Sequence, residues 1–329
     1  MIVTQTPLRV GLVGGGTDLP SYYRQHGGRV LNAAIDKYVY VIVKQRFDDD
    51  IYLNYSRKEI VSQVEDVEHD LVREAMHMAG VRSGVEITTL ADIPSAGSGL
   101  GSSSSVTVGL LHALFAYQGR QVSAEELAER ACTIEIDRCR KPIGKQDQYA
   151  AAHGGICDLH FGPGDAVRAE QIHLPPEQHR RFTAQLMLFY TGITRTADTI
   201  LGEQKANVPD KLAQLQHLRD LAGEAVAGLR SGHPDAVGVA LGRSWEAKRQ
   251  LAQGVSTPTL DAAVDAAMRA GATGAKITGA GGGGFVLVVC PVEHQRAVRE
   301  ALAPMKDLPI SIDPFGSRVI FNVHRNIWC

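Results

Sequence analysis

Paired cysteines, an excess of charge and long apolar runs are all missing from this chain of 329 residues. Its five cysteines include no C-x-x-C pair. The sequence therefore has neither the spacing of a zinc ribbon nor the even count of a disulfide framework. Unpaired thiols fit a reducing compartment, and we expect a cytoplasmic protein.

The charge balance gives no sign of a polyanionic partner. A formal net charge of -2 creates no basic field that would attract nucleic acid or an anionic membrane. No apolar run approaches the roughly 20 residues that span a bilayer, and the first residues lack the basic and apolar segments of a signal peptide. We expect a small-molecule partner, with no nucleic acid and no membrane, and a homodimer stays open.

Strand-like and helix-like segments alternate irregularly along the chain. The strand-rich first part has apolar, β-branched segments at residues 3–13, 38–46, 51–55 and 85–90. The second and third of these are predicted to pair as a hairpin, because three aspartates separate them as a polar turn. Antiparallel hairpins mixed with helices favour an α+β fold over a doubly wound sheet.

The length of the chain suits two domains of ordinary size. Residues 161–178 are rich in glycine, proline and charge, and a strongly apolar strand follows them. This pattern predicts a boundary near Arg181, with domains at residues 1–181 and 182–329.

Glycine is concentrated in three segments, at residues 14–16, 97–101 and 279–284. Glycine permits positive φ and lets the backbone approach a ligand closely, at a cost in entropy. The second segment lies between a predicted strand and an apolar helix that begins near Ser102. Free N–H groups and the positive end of the helix dipole would make this turn an anion site suited to di- or triphosphate. The alternative interpretation is a flexible surface loop with a serine N-cap.

The familiar nucleotide-binding motifs do not account for these glycines. The chain's one Gly-Lys pair, Gly144-Lys145, is followed by Gln146, so there is no P-loop of the G-x-x-x-x-G-K-[ST] type. Residues 279–284 match G-x-G-x-x-G literally, but residues 285–290 read as a strand. A dinucleotide site needs a helix there.

Three segments together resemble the motifs of the GHMP kinases, a family that includes galactokinase, homoserine kinase, mevalonate kinase and phosphomevalonate kinase. They are residues 6–18, 94–105 and 276–284. The resemblance implies a two-domain α+β fold, with an N-terminal ribosomal-protein-S5-like domain, a C-terminal ferredoxin-like domain and the active site in the cleft between them. It also implies phosphoryl transfer from ATP, with Mg²⁺, to a hydroxyl group of a small metabolite.

The resemblance assigns roles on the ATP side of the site. Asp147 would accept or orient the proton of the acceptor hydroxyl, and Arg9 would neutralise charge beside it. Ser103 and Glu135 would bind Mg²⁺, which prefers oxygen ligands. The ATP phosphates would contact Pro94, Gly97, Gly99, Leu100, Gly101, Ser102, Ser103 and Ser104. The alternatives are a helix cap for Asp147, a solvated helix position for Glu135 and a surface ion pair for Arg9.

The resemblance also predicts an acceptor site. Its residues would be Gly15, Gly16, Thr17, Asp18, Asp147, Arg195, Gly281 and Gly282. Galactokinases carry Glu and His where this chain has Gly15 and Gly16, which disfavours galactose. Residues 6–19, 32–38, 146–155 and 190–195 are similar to the bacterial D-glycero-D-manno-heptose 7-phosphate kinases, a branch that phosphorylates the C1 hydroxyl.

A sugar phosphate needs cationic partners. The candidates are Arg195, Lys145, Arg138, Arg140 and Lys141, whereas Lys276 reads as an ordinary lysine at the end of a strand. Another sugar kinase of the family, acting on fucose, galactose or mannose, is the nearest alternative. A non-catalytic sugar and ATP sensor and an isoprenoid decarboxylase are more distant ones.

Overall fold

Two β-sheets and the helices packed on them make up the part of the chain that the computed structural model describes, residues 1–94, 97–194 and 197–323. The strands are β1 Ile2–Val13, β2 Gly28–Gln45, β3 Ile51–Asn54, β4 Lys58–Val61, β5 Val85–Ala91, β6 Ile156–Phe161, β7 Val167–Gln171, β8 Leu186–Tyr190, β9 Gly274–Ile277, β10 Phe285–Val289, β11 Lys306–Asp307 and β12 Arg318–Asn322. The helices are α1 Pro20–His26, α2 Asp70–Ala79, α3 Ser102–Tyr117, α4 Ala124–Cys132, α5 Gln146–His153, α6 Pro176–Gln185, α7 Ala197–Ala206, α8 Leu212–Arg230, α9 Asp235–Lys248, α10 Pro258–Arg269 and α11 Gln295–Ala301.

The first sheet is organised around β2, which has 18 residues and pairs with β1 along most of its length. The other edge of β2 is shared, because residues 39–45 pair with β5 and residues 28–33 pair with β6. The strand β3 pairs antiparallel with β4 and parallel with β5. The predicted hairpin between residues 38–46 and 51–55 is therefore wrong, since β5 occupies the edge of β2 that this hairpin would have used.

The second sheet has the order β11-β8-β10-β9, and its neighbouring strands are antiparallel. Along the chain its elements run strand, helices, strand, strand, helix, strand, which is the ferredoxin-like arrangement. Alternate residues of β8 face two different hydrophobic cores. Leu186 and Leu188 join the core of the first sheet, whereas Met187 and Phe189 join a core shared with α10. Burial on both faces explains why this strand reads as a continuous apolar run.

The chain passes from the first sheet to the second and later returns to the first. Arg181 lies inside α6, and the last described strand, β12, returns to pair with β1. The helix α8 of the second half contacts β1 and β2, as α3 and α5 do. We therefore propose the division 1–181 and 182–329 as a description of chain order, with β12 as a strand that returns to the first sheet.

None of the helices that the structure describes combines sufficient length with sufficient apolar character to cross a membrane.

Candidate active site

All three glycine-rich segments meet at one cleft, whose cavity has a volume of about 250 Å³. Its walls come from the turn after β1, the turn before α3, the segment before α5, the end of α9 and the turn after β9. A larger and shallower cavity of about 660 Å³ lies beside Arg29 and Arg219, and none of the predicted site residues lines it. The smaller cleft is the better candidate, because buried charged groups and free backbone donors converge there.

The turn before α3 and the turn after β9 are packed directly against each other. Thr278 Oγ1 donates a hydrogen bond to the carbonyl oxygen of Ser98 at 3.2 Å. A Cβ atom at Gly99 would lie 2.7 Å from Thr278 Oγ1, and one at Gly279 would lie 2.6 Å from the Cα atom of Gly99. Both glycines also have positive φ, 71° and 61°. The second and third motifs therefore form one structural unit that only glycine permits.

The first turn of α3 opens into the cleft. Gly101 precedes the helix in the left-handed conformation, with φ 76° and ψ 21°. The side chains or backbone of Ser102, Ser103 and Ser104 line the cavity. The first N–H groups of a helix have no intrahelical acceptor, and the helix dipole adds positive potential at this end. The arrangement can hold the oxygens of a phosphate chain.

Arg9 and Asp147 form a two-pronged ion pair at the base of the cleft. Arg9 Nε donates to Asp147 Oδ1 at 2.6 Å, and the terminal nitrogen of the same prong donates to Oδ2 at 2.5 Å. The other terminal nitrogen donates to the carbonyl oxygen of Gly99 at 2.7 Å. The Arg9 side chain is 5% exposed and that of Asp147 is 24% exposed. The Arg9 guanidinium thus holds both the Asp147 carboxylate and the turn before α3 in place.

Glu135 lies in a π-helical stretch, Thr133–Arg138, that continues α4. It is fully buried, and its Oε2 accepts a hydrogen bond from Ser103 Oγ at 3.0 Å. Its Oε1 accepts from Gln148 Nε2 at 3.1 Å, and burial raises the pKa of this carboxyl. No lysine or arginine of the described residues forms an ion pair with it. The charge of Lys141 lowers the pKa of Glu135 but does not offset its burial. A buried carboxylate beside a hydroxyl and without an ion-pair partner fits Mg²⁺, which takes few protein oxygens and keeps phosphate and water ligands.

Asp18 is a buried residue that also lines the cleft. Its Oδ1 accepts from the Gly16 backbone N–H at 3.0 Å and from Gln146 Nε2 at 3.1 Å, while its Oδ2 accepts from the Gln146 backbone N–H at 3.2 Å. Burial and, second, the charge of Asp147 raise the pKa of Asp18. Three protein donors leave little free capacity on this carboxylate. Asp18 therefore holds the turn after β1 against the start of α5.

Two buried lysines reach the same cleft. Lys248 Nζ donates to the carbonyl oxygen of Gly279 at 2.5 Å, and Lys276 Nζ donates to that of Leu12 at 2.8 Å. Burial lowers the pKa of Lys248 to about 8, and it lowers that of Lys276 well below its usual value. The two lysines also lie close enough for Lys248 to lower the pKa of Lys276 further. Two amine groups thus lie where an anion would bind, and a bound anion would favour their protonated forms.

The structure brings most of the predicted site residues to the cleft wall. These are Arg9, Gly15, Gly16, Asp18, Gly97, Gly99, Gly101, Ser102, Ser103, Ser104, Glu135 and Asp147. Arg195 lies outside the described residues.

Other predicted residues do not line the cleft. The Leu100 side chain is fully buried, and its carbonyl oxygen accepts a hydrogen bond from the Arg9 backbone. Thr17 is buried and donates to the carbonyl oxygens of Gly14 and Arg29. Gly281 and Gly282 pack against Val255, and Pro94 is exposed on the loop. In the third motif, Gly279 and Ala280 line the cleft instead.

Sequence reasoning missed Lys248 and Gln146 and set Lys276 aside. The signal for Lys248 was present, because Leu241, Ser244 and Trp245 precede it at helical spacing and share its buried face. A lysine on the buried face of a helix is an unusual position that calls for a partner.

Two family models match the chain. The model described as GHMP kinases N terminal domain matches residues 53–155, and the one described as GHMP kinases C terminal matches residues 225–307. The D-glycero-alpha-D-manno-heptose 7-phosphate kinase of Campylobacter jejuni is 31% identical over 301 residues, which cover 87% of this chain and 88% of that protein. The L-fucokinase/L-fucose-1-P guanylyltransferase of Bacteroides fragilis is 30% identical over 335 residues, covering 90% of this chain and 35% of that protein.

The fold has close counterparts among solved structures. The crystal structure of a D-glycero-D-manno-heptose 1-phosphate kinase from Bacteroides thetaiotaomicron matches with a TM-score of 0.81 and 24% identity, covering 99% of this chain and 100% of that one. The chain belongs to the GHMP kinase family. It has the two-domain fold of that family and is a phosphotransferase that uses ATP as the phosphate donor. The resemblance predicted from the three glycine-rich segments is confirmed.

Proposed function

We propose that this kinase phosphorylates a sugar, and that its acceptor is the anomeric C1 hydroxyl of D-glycero-alpha-D-manno-heptose 7-phosphate, which becomes the 1,7-bisphosphate. The observation that carries the proposal is the Arg9–Asp147 ion pair beside the turn that leads into α3. The heptose phosphate rests on the relative that is 31% identical over most of both chains. The product would serve the synthesis of GDP-heptose and of capsule or surface polysaccharide.

In the proposed reaction, Asp147 receives the proton of the acceptor hydroxyl. The hydroxyl oxygen forms a bond to the γ-phosphorus of ATP, the bond from that phosphorus to the bridging oxygen breaks, and ADP leaves with the electron pair. Each oxygen of Asp147 accepts one hydrogen bond from Arg9 and keeps a further lone pair for the substrate. Arg9 holds the carboxylate in one orientation, which supplies the positioning that phosphoryl transfer needs.

The donor side would be held by backbone and hydroxyl groups. The N–H groups at the start of α3 would bind the phosphate oxygens, and Lys141, whose Nζ lies 3.3 Å from Ser103 Oγ, adds positive charge. Ser103 and Glu135 would hold Mg²⁺, which when bound neutralises negative charge on the phosphates.

The basic residues predicted for an acceptor phosphate support the proposal unequally. Lys141 lines the cleft, but on the side of Ser103. Lys145 Nζ contacts the backbone and carboxylate oxygens of Asp165, at 3.2 and 3.6 Å. Arg138 pairs with Glu74 at the surface, and Arg140 does not line the cleft. Among the described residues, the two buried lysines that line the cleft, Lys248 and Lys276, are therefore of most interest for the acceptor.

One of the alternatives has a specific observation in its favour, and another has observations against it. The relative that is 30% identical and carries a fucokinase activity in its name supports a different neutral sugar, with the same chemistry. A sensor that binds sugar and ATP without turnover is disfavoured by the intact pairing of Arg9 with Asp147 and of Ser103 with Glu135.

The experiment is ADP release with Mg-ATP across D-glycero-D-manno-heptose 7-phosphate, mannose, fucose, galactose and mevalonate. We expect strong turnover of the heptose phosphate alone. NMR of the product should show the new phosphate on its C1 hydroxyl. Strong turnover of a different sugar would move the acceptor and keep the reaction. Binding of ATP without turnover of any acceptor would contradict the proposal and favour the sensor.

A further inference from the structure

Lys248 is a buried ammonium group without a carboxylate partner. The residue is 7% exposed, and no carboxylate of the described residues forms an ion pair with it. Its one hydrogen bond goes to the carbonyl oxygen of Gly279, so two of its three N–H donors remain. A buried charge of this kind costs free energy unless a partner satisfies it. The position of Lys248 on the cleft wall makes a ligand the natural partner.

The space that Lys248 faces lies directly over Gly15. A Cβ atom at Gly15 would be 3.5 Å from Lys248 Nζ and 3.6 Å from Gln146 Nε2. Gln146 Nε2 spends one N–H on Asp18 Oδ1 and has a second N–H left. Two free donors therefore flank the small volume that a side chain at position 15 would fill.

The backbone does not explain the glycine at position 15. Its neighbours Gly14 and Gly16 have φ of 91° and 102°, which other residues rarely adopt, but Gly15 has no such positive φ. Space is what the missing side chain provides. The asymmetry also decides the test, because a substitution at Gly16 would strain the backbone whatever it did to the ligand.

We infer that the space over Gly15 is an acceptor subsite, in which the Lys248 ammonium and the Gln146 amide donate hydrogen bonds to one oxygen of the acceptor. This inference rests on the proposed function and goes beyond it in naming the contacts. Asp18, Asp147 and Arg9 line the same cavity as Lys248, so the bound oxygen and the hydroxyl that is phosphorylated share one cleft. Its chemistry is that of a sugar hydroxyl or a phosphate oxygen, both of which accept from an ammonium.

The first test replaces Lys248 with methionine, which keeps an unbranched side chain one atom shorter and removes the charge. With D-glycero-D-manno-heptose 7-phosphate as the acceptor, we expect its KM to rise about tenfold or more, the effect of one lost charged hydrogen bond. The KM for ATP and kcat should stay within about twofold. The matched control is Lys205→Met, on an exposed position of α7. An unchanged acceptor KM, or a loss confined to kcat, would overturn the inference.

A second variant tests the space rather than the charge. Gly15→Ala places a methyl group between the two donors without straining the backbone, and we expect the same rise in acceptor KM with an unchanged ATP KM. Gly202→Ala is the control, because nothing lies within 4 Å of a Cβ there. A wild-type acceptor KM in Gly15→Ala would contradict the subsite even if Lys248→Met fails to fold.

Binding without turnover separates this inference from the proposed function. The sugars of the ADP-release panel are added one at a time without ATP, and any sugar that binds should raise the Tm of the wild type by mass action. The rise should be reduced in Lys248→Met and Gly15→Ala and retained in both controls. If wild-type protein turns over no sugar but this pattern is seen, the kinase acceptor is wrong and the subsite stands. If turnover is normal and both variants keep the full rise in Tm, the subsite is wrong and the function stands.

Discussion

Arg9 and Asp147 are 138 residues apart in sequence and lie side by side in the cleft, joined by two hydrogen bonds of 2.5 and 2.6 Å. The pairing links β1 of the first sheet to the first turn of α5. The same guanidinium reaches the Gly99 carbonyl oxygen. Arg9 thus sets the position of the proposed base, Asp147, and also anchors the turn before α3.

Replacing Asp147 with asparagine should therefore slow phosphoryl transfer while ATP still binds. Asparagine retains the shape and one acceptor for Arg9 but cannot take up the proton. We expect kcat to fall about a hundredfold to ten-thousandfold, the usual contribution of a general base, with the KM for ATP within a few-fold. Steady-state ADP release measures both. Asp265→Asn, at an exposed position of α10, is the control, and retention of more than a tenth of kcat in Asp147→Asn would remove Asp147 as the base.

The second and third glycine motifs pack against each other, so a substitution at their contact should weaken both the stability of the protein and its binding of ATP. Gly99→Ala would push a methyl group against Thr278 and force alanine to φ 71°. We expect a loss of about 1–3 kcal/mol in the free energy of unfolding from overpacking and a clear rise in the KM for ATP. Denaturant unfolding and ADP release measure the two effects.

Gly119→Ala is a matched control for this variant. Gly119 has φ 72°, but nothing lies within 4 Å of a Cβ there. It should show the cost of the backbone conformation alone, with a normal KM for ATP. Equal losses in the two variants would mean that the contact with Thr278 contributes nothing.

The three glycine motifs and the Arg9, Asp18 and Glu135 positions could be predicted from the sequence because their order and composition resemble a known family. The pairing of the strands could not. Residues 51–55 have a suitable turn before them, yet β5 lies between β3 and β2. The polar turn favours a hairpin locally. Which strand pairs with an edge of β2, however, depends on contacts between segments far apart in sequence, and no local pattern shows those contacts.

The burial of Lys276 is a second feature that the sequence could not predict. Its position at the end of a strand suggested an ordinary lysine, whereas the structure buries it with its Nζ bonded to the Leu12 carbonyl oxygen, 264 residues away in sequence. No local pattern indicates that β9 and β1 approach each other here. Burial of Lys248 was partly predictable from helical spacing, but its neighbours Gly15 and Gly279 come from distant segments.

The Glu135 carboxylate should respond to both metal and pH. Glu135→Gln removes the charge and keeps the shape, so the Mg²⁺ concentration for half-maximal activity should rise at least about tenfold if this group binds the metal. Without Mg²⁺, the free energy of unfolding of the variant at pH 7 should equal or exceed that of the wild type, because the wild type buries a charge that the nearby Lys141 does not fully compensate. Titration of ADP release with Mg²⁺ and denaturant unfolding measure the two effects.

The sign of the pH effect follows from the raised pKa of Glu135 in the folded state. A raised carboxyl pKa contributes stability only at low pH, and that contribution is lost as pH rises from the ordinary glutamate value through the folded one. The difference between Glu135→Gln and wild type should therefore disappear at pH values below the ordinary glutamate pKa. Exposed Glu129→Gln is the control. A wild-type Mg²⁺ requirement in Glu135→Gln would exclude this carboxylate as a ligand.

The pH dependence of acceptor use tests Lys248 in the unsubstituted protein. Burial holds its pKa at about 8, Asp18 and Asp147 raise it, and Arg9 lowers it, while Lys276 lies beside it. Lys248 is therefore charged below about pH 8 and loses its proton above it. Because kcat/KM reports groups of the free enzyme, kcat/KM for the acceptor should fall as pH rises through about 8.

Lys248→Arg separates this ionisation from the others in the cleft. Arginine keeps its charge over the whole range, so the fall near pH 8 should vanish even if the absolute kcat/KM is lower. An ionisation of Lys276 would survive the substitution and leave the profile bent. A fall near pH 8 that is unchanged in Lys248→Arg would therefore assign it to another group and remove the charge of Lys248 from acceptor binding.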